Sequence, residues 1–138
     1  MNNARFAAAA SLFLASASPA LASQSSSCDP VAGLIRQARS DFQSLKMRKF
    51  ESGTCTVRGL EFRCFWSFPS DAFAIAEAQS ERVQHCALAQ PGVEAVASKK
   101  GETGFALEDD LTLFVSAPQL DMGDWQVRIR VVENAPAE

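Results

Sequence analysis

The chain has 138 residues, with 13 Lys and Arg against 16 Asp and Glu, one His, four Cys and no Tyr. That length suits one domain rather than a large enzyme fold. With 47% hydrophobic and 21% charged residues the chain is no intrinsically disordered segment, and its slightly acidic balance excludes a dedicated nucleic-acid binder.

Residues 1–22 read as a secretory signal peptide. Arg5 supplies the positive start. Phe6 to Leu14 is apolar apart from Ser11, Pro19 breaks the helix, and Ala20-Leu21-Ala22 offers the small residues that a signal peptidase needs. Cleavage is expected after Ala22. The apolar run is far short of the roughly 18–20 residues that span a bilayer, so no transmembrane anchor is expected. Cys28 lies six residues past the cleavage site, which sets a lipoprotein aside. The mature protein is expected in a bacterial periplasm or secreted. It divides into a flexible tether at 23–28, a single domain at 29–133 and a disordered tail at 134–138.

An exported chain of this size gains from covalent staples. Four cysteines allow three pairings, and local geometry favours one. Cys55 to Cys64 reads as a hairpin centred on Gly59-Leu60, with Gly at the first central position of a type II′ turn. Arg58 then faces Glu61, Val57 faces Phe62, Thr56 faces Arg63, and Cys55 faces Cys64. The last pair falls in a non-hydrogen-bonded position, where Cα atoms approach to about 4.5 Å and a disulfide fits. Cys28 and Cys86 are left to join each other. The spacing of the cysteines and one distant His matches no zinc pattern, and there is no C-x-x-C, so neither a metal site nor a redox pair is expected.

Asp29-Pro30 opens a helix expected to run from 30 to about 45, with Asp29 as N-cap and Val31, Leu34, Ile35, Ala38, Phe42 and Leu45 on one face. Strands follow at 54–58 and 60–68. Cys55, Val57, Leu60, Phe62, Cys64, Trp66 and Phe68 share a core face. Thr54, Thr56, Arg58, Glu61, Arg63, Phe65 and Ser67 share a wet one. A second helix starts after Ser70 as N-cap, buries Ala72, Ile75, Ala76, Gln79, Val83, Cys86 and Ala87, and stops at Pro91-Gly92. Val93 to Ser98 is a weak strand, and Lys99 to Gly104 a turn. Leu111 to Ser116 is an apolar strand, Asp121 to Asp124 a turn, and Trp125 to Val131 the cleanest alternation in the chain. The order α-β-β-α-β-β-β predicts an α+β two-layer sandwich, a mainly antiparallel sheet of about five strands with both helices on one face and two disulfides.

Chemistry-bearing patterns are sparse. His85 is the only histidine, and no nucleophile motif accompanies it. Glu108-Asp109-Asp110 is a carboxylate cluster best read as a solvated turn; a small hydrolase using Asp109 or Asp110 is the least favoured reading. No catalytic residue and no cofactor is expected. Five basic side chains fall within 36–49 (Arg36, Arg39, Lys46, Arg48, Lys49) and six acidic ones within 102–124, an asymmetry that can steer a charged partner.

The wet sheet face is the candidate interface. Arg63, Phe65, Arg128 and Arg130 should all point away from the helices, and Arg and aromatic residues are enriched where proteins meet. The expected function is that of a small non-enzymatic periplasmic protein that binds a macromolecule, another periplasmic protein or a second copy, through this open face. An inhibitor or immunity protein is its sharper form. An envelope assembly or chaperone-like factor is the alternative.

Overall fold

The computed structural model describes residues 28–134 apart from 97, 98 and 100. The expected signal peptide and cleavage site, residues 23–27 of the expected tether and residues 135–138 of the expected tail lie outside the described residues.

Val31, Leu34, Ile35 and Ala38 recur at helical spacing and form the buried face of helix α1 (Asp29–Ser40). The helix begins one residue earlier than expected. Cys28 occupies the N-cap, with Asp29 and Pro30 in the first turn, where an acidic side chain suits the helix dipole. It also ends earlier, at Ser40 rather than about 45. Asp41 is extended, and its carboxylate accepts the Gln43 amide at 3.1 Å, a local bond that competes with helix continuation. A 3₁₀ turn (Phe42–Ser44) follows, and Phe42 and Leu45 are still buried.

Strands β1 (Lys49–Phe50), β2 (Gly53–Arg58) and β3 (Glu61–Phe68) form an antiparallel ribbon. The β2–β3 register is the one the sequence predicts, from Arg58 opposite Glu61 to Cys55 opposite Cys64. Gly59 has φ +61 and Leu60 does not share a positive φ, as a type II′ turn requires. The β1–β2 turn places Glu51 and Ser52 at φ +47 and +69. Beneath it the Trp66 indole donates to the Glu51 carbonyl at 3.0 Å. A Cβ on Gly53 would lie 2.8 Å from that indole nitrogen, so glycine is needed there.

Helix α2 (Phe73–Leu88) starts from Ala72, without a side-chain cap. Ser70 is not the N-cap; its carbonyl accepts the Trp125 indole N–H at 3.0 Å instead. Ala76, Val83, Cys86 and Ala87 are buried as expected and Ser80 joins them, while Ala72 and Gln79 are half-buried and Ile75 is 63% exposed. Ser80 can be buried because its hydroxyl donates to the Ser116 carbonyl at 2.7 Å.

Four short or interrupted strands and one long one complete the fold: β4 (Glu94–Val96), β5 (Glu102–Glu108), β6 (Leu111–Ser116), β7 (Gln119–Asp121) and β8 (Asp124–Glu133). Among the described residues the sheet has eight strands in the order β1-β2-β3-β8-β6-β5-β4, with β7 beside β8, and every pairing is antiparallel. The expected count of about five is therefore too low. Strand β5 starts inside the Lys99–Gly104 run that reads as a turn and continues to Glu108. Strand β7 continues β6 after a break: Val115 faces Ile129 and Gln119 faces Gln126, so 116–118 hold one residue too many. Ser116 mends the ladder there by accepting the Arg128 amide on its hydroxyl at 2.8 Å.

Both helices cover one face of the sheet, and the core lies between the layers. Phe62, Cys64, Leu113, Val115, Val127 and Ile129 are wholly buried there. Val57 and Leu60, expected on that core face, are 47% and 44% exposed, because the helices stop short of the β2–β3 turn. Cys28–Cys86 ties the start of α1 to the end of α2, and Cys55–Cys64 crosses the hairpin with Cα atoms 4.1 Å apart.

Candidate functional site

The face of the sheet away from the helices gathers residues from six strands. Strand registers set Val96, Gly104, Phe114, Arg130, Arg63 and Thr56 in one row across β4, β5, β6, β8, β3 and β2. In the next row Arg128 lies opposite Phe65. All four residues that the sequence nominates are thus neighbours on one surface. Arg63 is exposed, while Phe65, Arg128 and Arg130 are half-buried.

Two arginines directly opposite each other repel. Glu61 resolves this for Arg63 and Arg130, accepting from Arg63 at 2.6 Å on one oxygen and from Arg130 at 2.7 Å on the other. Glu102 grips Arg130 from the far side with two bonds of 2.9 Å. The same guanidinium lies over the Phe114 ring, 4.5 Å from its centre. Burial pushes Glu61 toward protonation, but the bonds and charges of Arg130 and Arg63 outweigh it and hold its carboxyl below the usual range. For Arg130 the Glu102 bond dominates over burial, and Glu61 adds to it, so its pKa rises and it stays charged.

Space for Phe114 comes from Gly104. A Cβ at Gly104 would lie 2.8 Å from Val96 and 3.2 Å from the Phe114 ring. Sequence reading missed Val96, Gly104, Phe114 and Glu102 as part of this surface. The apolar run from Leu111 to Ser116 carries no alternation to reveal which way Phe114 points. Glu102 sits in the run taken for a turn.

The other nominated groups stay apart from this face. His85 is exposed on α2, in the opposite layer, and Asp109 and Asp110 are exposed in the β5–β6 turn. Among the described residues no group of three His, Cys, Asp or Glu could hold a metal ion. No helix among them is long and apolar enough to cross a membrane. Of the five clustered basic residues, Arg39 is used internally, donating to the Leu107 and Pro91 carbonyls. Arg36, Lys46, Arg48 and Lys49 are exposed. All four cysteines are in disulfides, which fits an oxidising compartment.

No protein-family model, curated protein or solved structure matches the chain.

Proposed function

We propose that the chain is an exported, non-enzymatic binding domain that recognises another protein through its helix-free sheet face. The observation that carries this reading is the uncovered surface built from Arg63, Phe65, Phe114, Arg128 and Arg130. It combines half-buried aromatic rings with guanidinium groups held in fixed positions, and ordered groups lose little entropy on binding. Two disulfides and the pattern of residues 1–22 support export to the periplasm with cleavage after Ala22.

The test is site-specific photo-crosslinking in the exporting cell. A crosslinker at Phe65 or at Thr112, a half-buried position on the same face, should give the same discrete adduct. A crosslinker at Glu81, exposed on α2, should give none. If the adduct is a hydrolase, the inhibitor form of the reading follows. Adducts only from Glu81, or none from the face, overturn it. The mature N-terminus should be Ser23; recovery of the chain only from the cytoplasm with Met1 retained overturns the export half.

A further inference from the structure

The β7–β8 hairpin ends in an exposed apolar tip. Its turn, Met122-Gly123, has φ +52 and +89, a type I′ turn with a non-glycine residue in the left-handed region. Such strain costs about 1 kcal/mol and survives only where something over-determines it. Met122 is 99% exposed, and Leu120 beside it is 61% exposed. Leu120 lies opposite Trp125, whose ring meets Phe73 edge-on at 4.8 Å, so the tip stands on a firm aromatic base. Asp121 and Asp124 flank the turn, both exposed and neither in an ion pair with a described residue. The tip is an apolar knob with an acidic rim.

The complementary shape is on the same molecule. A groove of about 610 Å³ runs between Lys46, Met47 and Arg48 on one side and the edge of β2 on the other. Its floor includes Val57, which is 47% exposed. Its rim is basic: Lys46 and Arg48 are exposed, again without an ion pair to a described residue. Strand β1 pairs only with Thr54 and Gly53, and the Arg48 carbonyl takes the Cys55 amide, so the Val57 amide and carbonyl on this edge have no described partner.

We infer that the Met122 tip of one copy seats in the Lys46–Val57 groove of a second copy, a head-to-tail contact between identical chains. Within one molecule the two cannot meet, because β3 and β8 stand between them. Apolar surface meets apolar surface, and two carboxylates meet two cations. Other segments of the chain fit the groove poorly. Residues 1–27 contain no acidic side chain. The amide of Asn134, the last described residue, donates to the Asp110 carbonyl at the start of β6. A contact between unlike patches repeats along a ring or filament, so association should grow with concentration.

Sedimentation of the oxidised mature protein tests this without any partner. The weight-average mass should rise between about 1 µM and 1 mM and fall back as salt is added. Met122→Asn keeps the left-handed turn, removes the apolar knob and should weaken association about tenfold. The tip reversal D121K/D124K and the groove reversal K46E/R48E should each do the same. Mixing the two reversed variants should restore association, since each then offers the charge the other lacks. A single monomeric species at every concentration overturns the inference. So does association that survives all three variants, or a mixture no more associated than its components. Circular dichroism on each variant confirms that the exposed substitutions leave the fold intact. Association lost in Phe65→Asp but kept in the tip variants would instead place a self-contact on the helix-free face.

Discussion

The Ser80 hydroxyl donates to the main-chain carbonyl of Ser116 across 2.7 Å, and both residues are only 2% exposed. This bond joins α2 to the break between β6 and β7, where the Ser116 hydroxyl in turn accepts the Arg128 amide. A helix, a strand interruption and the central strand are thereby fixed to one another through two serines. Ser80→Ala leaves a buried carbonyl without its donor and should cost about 1–3 kcal/mol. A urea midpoint unchanged from wild type would mean that water replaces the hydroxyl.

Gly104 is the narrow point of the helix-free face. Gly104→Ala drives a methyl into Val96 and Phe114 and should destabilise by about 1–3 kcal/mol. Val96→Ala in the same chain opens the closer of the two contacts and should recover most of that loss. A double variant as unstable as the sum of the two singles would place the strain at Phe114.

The two disulfides should differ in effect. Cys28–Cys86 spans 58 residues of sequence and Cys55–Cys64 spans 9. Loop entropy gives about 4 kcal/mol for the first and about 2–3 kcal/mol for the second. Serine pairs at 28/86 should therefore lower Tm more than serine pairs at 55/64. The reverse order would show that register of the hairpin, rather than loop closure, limits stability.

Acid should act through Glu61. Its carboxyl is held below the ordinary 4.5, so its ion pairs stabilise the fold above that value and lose this effect as pH falls through the folded pKa. Wild type should lose denaturant resistance as pH falls below 4.5, and Glu61→Gln should lose less over the same fall. Equal losses in the two proteins would locate the acid response in another carboxylate.

The hairpin from Cys55 to Cys64 was legible because a two-residue turn with glycine first leaves one register that also aligns two cysteines. The helix-free face was legible along β3 and β8, whose residues alternate cleanly. It was not legible along β5 and β6. There the deciding facts are cross-strand: Gly104 is empty because Val96 and Phe114 occupy its space, and Glu102 matters because Arg130 lies two strands away. No local periodicity encodes either. Two positions of the α2 stripe depart from the sequence expectation for a similar reason. Ser80 belongs inside only because a carbonyl at the β6–β7 break awaits it, and Ile75 is left out because the helix turns a different side to the sheet. The same logic hid the Met122 tip, since a short polar turn and an exposed knob look alike until the surrounding surface is known.

Strand β8 lies between β3 and β6, and its Val127, Ile129 and Val131 sit at the middle of the core. It is also the last of the described strands in chain order. Until synthesis has passed Glu133, β1-β2-β3 and β6-β5-β4 are two half-sheets with no shared edge. Both disulfides join residues that emerge earlier, so oxidation can precede closure of the sheet. Pairing β8 with both halves joins residues far apart in sequence, the kind of contact that slows folding.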